Sequence, residues 1–209
     1  MKKIKILGII TMIFLVLIIA VFAVFALFGI LKIETGENGK TEKGEIKIKL
    51  SETAAAEKFI ELKNSGAFKN AEFSVLAENM FIQSTVPGEN FEAEQNEFAA
   101  INGAVAFVME KEEAAPSFVI ITAEKLSGNS SAFLKNGAFD SERAGIYEKF
   151  GGIPEYEGKI LVFGQVVSGM ETVLEIAEKE NSGYTGGYLA AEPEKIISLV
   201  ISEPLPEQE

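Results

Sequence analysis

The sequence predicts a mainly β domain, a closed or sandwiched β architecture with a few helices, preceded by one transmembrane helix. Two observations carry this. At the start, 26 residues from Ile6 to Leu31 are apolar or uncharged, bounded by Lys5 and Lys32. Beyond them, short apolar runs of strand length recur, separated by turn-like segments such as Val86-Pro87-Gly88-Glu89-Asn90 and Asn181-Ser182-Gly183.

The apolar start comes first in chain order. A 26-residue helix rises about 39 Å, enough to cross a hydrocarbon core of about 30 Å with some tilt. A cleaved secretory signal has a shorter apolar region, about 7–15 residues, ending at an A-x-A-like site. Here Ala20, Ala23 and Ala26 are spaced by three, and no such site is evident. Lys2, Lys3 and Lys5 precede the span, while Lys32 is followed by Glu34 and Glu37. Positive charge stays on the cytoplasmic side, so residues 1–5 are expected in the cytoplasm and the bulk of the chain outside it. Residues 32–43 are polar, contain glycine and lack an apolar pattern, and they read as a linker lifting a domain at 44–203 off the membrane.

Within that domain, Glu45–Leu50 alternates (EIKIKL), which places Ile46, Ile48 and Leu50 on one face of a half-buried strand. Ser51-Glu52-Thr53 can cap a helix over Ala54–Lys63, and Ser65-Gly66 ends it. Strand-like runs follow at Phe73–Ala77, Met80–Gln83, Ala104–Met109, Phe118–Ala123, Ile160–Val167 and Ile196–Ile201. Ser130–Phe150 has weaker helical spacing and reads as an insertion carrying helix. Met170–Glu180 reads as a second regular helix, since Val173, Leu174, Ile176 and Ala177 recur at helical spacing. Gly183–Gly187 reads as a loop, because no Lys-Ser/Thr and helix follow to make it a phosphate cradle. Residues 204–209 are expected to be disordered.

Composition removes several function classes. With no cysteine and no histidine, the chain has no disulfide, no thiol nucleophile, no Ser-His-Asp triad and no histidine-bound metal. All 31 acidic residues lie beyond the span, so the exported part is strongly acidic and repels nucleic acid and anionic lipid. No cofactor and no metal are expected.

The segment Lys159–Met170 (KILVFGQVVSGM) resembles the cyclophilin stretch G-x-H-x-V-F-G-x-V-x-x-G-M. Other pieces agree in order. Ala67–Gln83 (AFKNAEFSVLAENMFIQ) is similar to Y-x-x-x-x-F-H-R-V-I-x-x-F-M-I-Q, and Ala115–Ala123 (APSFVIITA) to G-S-Q-F-F-I-x-x-A. Tyr147–Gly158 (YEKFGGIPEYEG) resembles the Y-x-x-x-G-G-x-P-x-L-D-G passage of bacterial members with an inserted helix. The resemblance implies an eight-stranded antiparallel β-barrel with two capping helices and an inserted helical segment. It also implies a peptidyl-prolyl cis-trans isomerase or foldase that takes Pro-containing segments of exported proteins.

The departures fall on the implied groove. Val75 stands where the family has its arginine, Ser74 where it has the preceding histidine, and Ile160 at the histidine before V-F-G. The F-M pair is reversed to Met80-Phe81, Val119 replaces a phenylalanine, and Tyr156 replaces a leucine. The resemblance therefore implies substrate binding by Met80, Phe81, Gln83, Val119 and Tyr156, with Gln83 as the polar group left for catalysis. Rotation about an X–Pro bond faces a barrier of about 18–20 kcal/mol. As it twists, the proline nitrogen gains lone-pair character, and a donor placed there stabilises the twisted state selectively. Losing one well-aimed donor costs on the order of 10²–10³ in rate in comparable sites. Weak isomerase activity is the expectation, with a non-catalytic proline-segment-binding chaperone or scaffold as the alternative.

Overall fold

The computed structural model describes residues 28–35, 42–93, 98–137, 139–183 and 187–202. They form nine strands: β1 Phe28–Thr35, β2 Glu42–Leu50, β3 Glu72–Ala77, β4 Phe81–Thr85, β5 Phe91–Glu92, β6 Ala104–Glu110, β7 Glu113–Ile121, β8 Ile160–Ser168 and β9 Leu189–Ser202. Four α-helices join them: α1 Ala54–Asn64, α2 Gly128–Lys135, α3 Ser141–Phe150 and α4 Met170–Ala177. The antiparallel sheet runs β4-β3-β9-β1-β2-β8-β6-β7-β5. It curls until β4 pairs with β7, with Phe81 opposite Ile121 and Gln83 opposite Val119. Eight strands thus follow one another round a ring, and the two-residue β5 hangs on β7.

Period-two patterning decides which side chains go inward. Val105 and Phe107 of β6, Phe118 and Ile120 of β7, and Leu161 and Phe163 of β8 enter one buried cluster. Their neighbours Ala104, Ala106, Val119, Ile121, Ile160 and Val162 enter a second cluster on the other face. Phe59 of α1 is fully buried in the first, its ring 4.5 Å from Phe163 and 5.0 Å from Phe68. Val173 and Ile176 of α4 join the same core. The second cluster is covered by Leu134 of α2, Tyr147 of α3 and Ile153 beyond it. The helical insertion therefore lies against the outer face of β6, β7 and β8.

Helix starts follow the sequence signals. The Thr53 side chain accepts from Ala56 N–H, Ser127 from Ser130 N–H and Asp140 from Arg143 N–H, each meeting an N-terminal donor that has no intrahelical partner.

The N-terminal reading needs correction. Residues 28–31, read as the end of the membrane helix, and 32–35, read as linker, form β1, which pairs with β2 and β9. Residues 42 and 43, also read as linker, begin β2. An apolar run that flows into a strand looks like one continuous span when only hydropathy is counted. The ring thus begins at Phe28, ahead of Gly44. Residues 6–27 of the expected span, linker residues 36–41 and the tail 204–209 lie outside the described residues. Among the described residues no helix is long and apolar enough to cross a membrane. Met80 also moves, from strand to turn, and α4 ends at Ala177 rather than at residue 180.

Candidate functional site

The site is built where β3, β4 and β7 run side by side. β3 carries a register shift between Phe73 and Val75. Without it, Val75 would share the inward face of Phe73; with it, Leu76 turns inward and Val75 is half-buried on the outer side. The hydroxyls of Ser74 and Thr85 are hydrogen-bonded across this bulge. Val75 then pairs with Gln83, and Gln83 pairs with Val119, which places three candidate positions in one row across three strands.

The turn from β3 to β4 supplies the next members. Asn79 adopts a left-handed φ of 57°, a conformation asparagine tolerates better than most residues. Met80 N–H closes the turn on Ala77 O at 2.9 Å, and Thr122 N–H donates to Met80 O at 2.9 Å. Met80 and Phe81 are half-buried and pack against the second cluster, while Val119 is only 3% exposed and forms its floor. Gln83 is half-buried beside them.

Tyr156 arrives from the far side of the insertion. After α3, Gly152 N–H donates to Ala123 O at 2.7 Å and Ile153 N–H to Ala100 O at 2.9 Å. Gly152 has a φ of 111°, and a Cβ there would lie 2.3 Å from Ala100 O, so the close crossing demands glycine. A 3₁₀ turn, Pro154–Tyr156, follows and sets the Tyr156 ring 5.8 Å from that of Phe81. The candidate residues Met80, Phe81, Gln83, Val119 and Tyr156 are thus brought together as an apolar patch with one amide.

Behind Tyr156 lies a charged network. Glu157 Oε1 accepts from Arg143 Nε at 2.8 Å and from the Tyr147 hydroxyl. That hydroxyl also accepts from Ala100 N–H at 2.9 Å. Burial, the hydrogen bond to Glu157 and its negative charge together push the Tyr147 ionisation far above the ordinary tyrosine range. The Tyr156 ionisation is raised too, by burial first, then by Glu155 and Tyr188. Arg143 is the chain's only arginine, and Glu157 holds it on the insertion. Lys159 places its ammonium 5.7 Å from the centre of the Tyr156 ring.

Sequence reading missed Tyr188, which the structure sets against β3 through Leu76 N–H to Tyr188 O at 2.8 Å. Its only sequence signal was its place after a glycine-rich bend. Two clefts lie elsewhere, one of about 600 Å³ between α1 and β5 and one of about 480 Å³ beside α2 and α3, and neither is lined by these candidates. Among the described residues, no group of three or more acidic side chains is disposed to hold a metal ion.

Over residues 30–200 the sequence matches the family described as cyclophilin type peptidyl-prolyl cis-trans isomerase/CLD, so the chain belongs to that family. Two crystal structures of a cyclophilin type peptidyl-prolyl cis-trans isomerase from Cryptosporidium parvum share the fold, each with a TM-score of 0.56 and 18% identity. One, in the presence of the dipeptide Ala-Pro, covers 84% of this chain and 99% of its own; the other covers 85% and 99%. Comparison with curated protein sequences gives no match.

Proposed function

We propose that this barrel is a peptidyl-prolyl cis-trans isomerase or foldase of reduced catalytic power, held at the membrane and acting on Pro-containing segments of exported proteins. The observation that carries the reading is the row Val75–Gln83–Val119 beside the Phe81–Tyr156 pair. An apolar floor suits a pyrrolidine ring, and the related structure with Ala-Pro supports a proline ligand. A valine has no donor for the twisted amide, so Gln83 is left with a neutral amide, weaker than a guanidinium. The 22 residues Ile6–Leu27 are still long enough to span a bilayer, at about 33 Å as a helix. The lysines before them favour an orientation with the barrel outside the cytoplasm.

A second reading rests on Val75 itself: a module that binds proline segments without turning them over, as a chaperone or scaffold. A protease-coupled isomerisation assay separates the two, using the full chain in detergent micelles and an Ala-Pro peptide. The expected result is acceleration above background that falls in Gln83→Ala. Peptide binding without acceleration favours the second reading, and neither binding nor acceleration rejects both.

A further inference from the structure

The turn that presents Tyr156 is gripped from both sides by the helical insertion. Tyr156 lies between two carboxylates, Glu155 and Glu157, at the end of the 3₁₀ turn. Glu155 Oε1 accepts from Ser130 Oγ at 3.0 Å, and Ser130 is a buried residue of α2. Ser130 is itself set by Ser127, whose Oγ accepts from Ser130 N–H at 3.0 Å. Glu157 Oε1 accepts instead from α3, through Arg143 Nε at 2.8 Å and the Tyr147 hydroxyl. Each helix of the insertion thus holds one neighbour of Tyr156.

The backbone bonds of the turn are local. Tyr156 N–H donates to Ile153 O at 3.0 Å, Glu157 N–H to Pro154 O at 3.2 Å and Lys159 N–H to Tyr156 O at 2.9 Å. Such bonds shape the turn but do not fix its distance from Phe81 on β4, whose ring lies 5.8 Å from that of Tyr156. The two carboxylates supply that constraint from outside the turn. Glu155 Oε2 is shut away from solvent with no hydrogen-bond partner among the described residues. A carboxylate oxygen left so loses hydration without return, and stability alone does not account for it. Displacing a positioned group by about 1 Å is enough to weaken a site severely.

We propose that Glu155 and Glu157 are positioning residues for Tyr156, and that α2 and α3 form a clamp setting this wall of the proline slot. The proposal rests on the isomerase reading above. Neither carboxylate touches the peptide in this scheme; each acts through the ring between them.

A double-mutant cycle tests it on the full chain in detergent micelles, with affinity for an Ala-Pro peptide as the readout. Tyr156→Ala removes the ring and should weaken binding about tenfold. Glu157→Ala should weaken it about fivefold when the ring is present and less than about twofold in the Tyr156→Ala background. Should Glu157→Ala fail to fold, by circular dichroism, Ser130→Ala takes its place. That variant releases Glu155 alone, with a loss of about threefold expected only when the ring is present. Three outcomes overturn the proposal and leave the isomerase reading standing: equal weakening with and without the ring, no weakening at all, or a Tyr156→Ala chain that binds like the unaltered one. An unaltered chain that neither binds nor isomerises the peptide overturns both.

Discussion

Tyr147→Phe removes one oxygen from the network that fixes the insertion to the barrel. Tyr147 is fully buried, and its ring stacks on Phe139 at 5.9 Å, a contact the variant keeps. The loss is confined to two hydrogen bonds. Ala100, also fully buried, has its N–H left without the hydroxyl, and orphaning a buried donor costs about 1–3 kcal/mol. Glu157 loses a charge-assisted bond of about 1.5–3 kcal/mol but keeps Arg143 Nε at 2.8 Å and is 19% exposed, so water and the guanidinium offset part. The expected destabilisation is about 2–4 kcal/mol, or roughly 5–15 °C in Tm for a domain of this size. Urea unfolding followed by circular dichroism measures it, with the slope m unchanged because the exposed surface is unchanged. A difference below about 0.5 kcal/mol would refute the view that this hydroxyl ties the insertion down.

The same group sets an alkaline limit. Because the Tyr147 ionisation is raised in the folded state, its stabilising contribution is fully present below about pH 10, the ordinary tyrosine value. That contribution is lost as pH rises above this value, since the unfolded chain then ionises first. Unfolding free energy measured from pH 8 to 11 should fall more steeply for the unaltered chain than for Tyr147→Phe, and parallel curves would contradict the assignment. Gly152→Ala should destabilise by several kcal/mol, because its Cβ would meet Ala100 O at 2.3 Å in a backbone of positive φ. Thermal denaturation checks this, and an unshifted Tm would show that the crossing before Tyr156 tolerates a side chain.

Much of the ring was legible because inward and outward residues alternate on its strands. Ile46, Ile48 and Leu50 of β2 are buried as their alternation requires. The runs at 104–109 and 160–167 became β6 and β8 almost to the residue. The Ser130–Phe150 insertion became α2 and α3, the first beginning two residues earlier. Elsewhere the pattern was hidden. β1 continues an apolar run, and the first half of β9, Leu189–Lys195, contains Pro193 and three charged residues rather than an apolar alternation. The start of β7, Glu113–Ser117, is likewise short of large apolar residues.

The site divides in the same way. Resemblance named Met80, Phe81, Gln83, Val119 and Tyr156, and the structure gathers them. What no spacing could show is the bulge at Phe73/Val75, since counting in twos from Phe73 sends Val75 into the core. The position of the Tyr188 backbone against β3 was hidden for a different reason. Its placement depends on a left-handed backbone and on a carbonyl held by Leu76, neither of which leaves a trace in residue types.

The central claim is that the barrel binds proline segments but lacks a strong donor for the twisted amide. Val75→Arg tests it most directly. The position is half-buried, between Leu189 and Gln83, so the aliphatic stem can lie along the sheet while the guanidinium reaches the slot. Measured by protease-coupled assay on the full chain, the variant is predicted to isomerise an Ala-Pro peptide on the order of 10²-fold faster, with peptide affinity little changed. An unaltered chain already as fast as Val75→Arg would contradict the account.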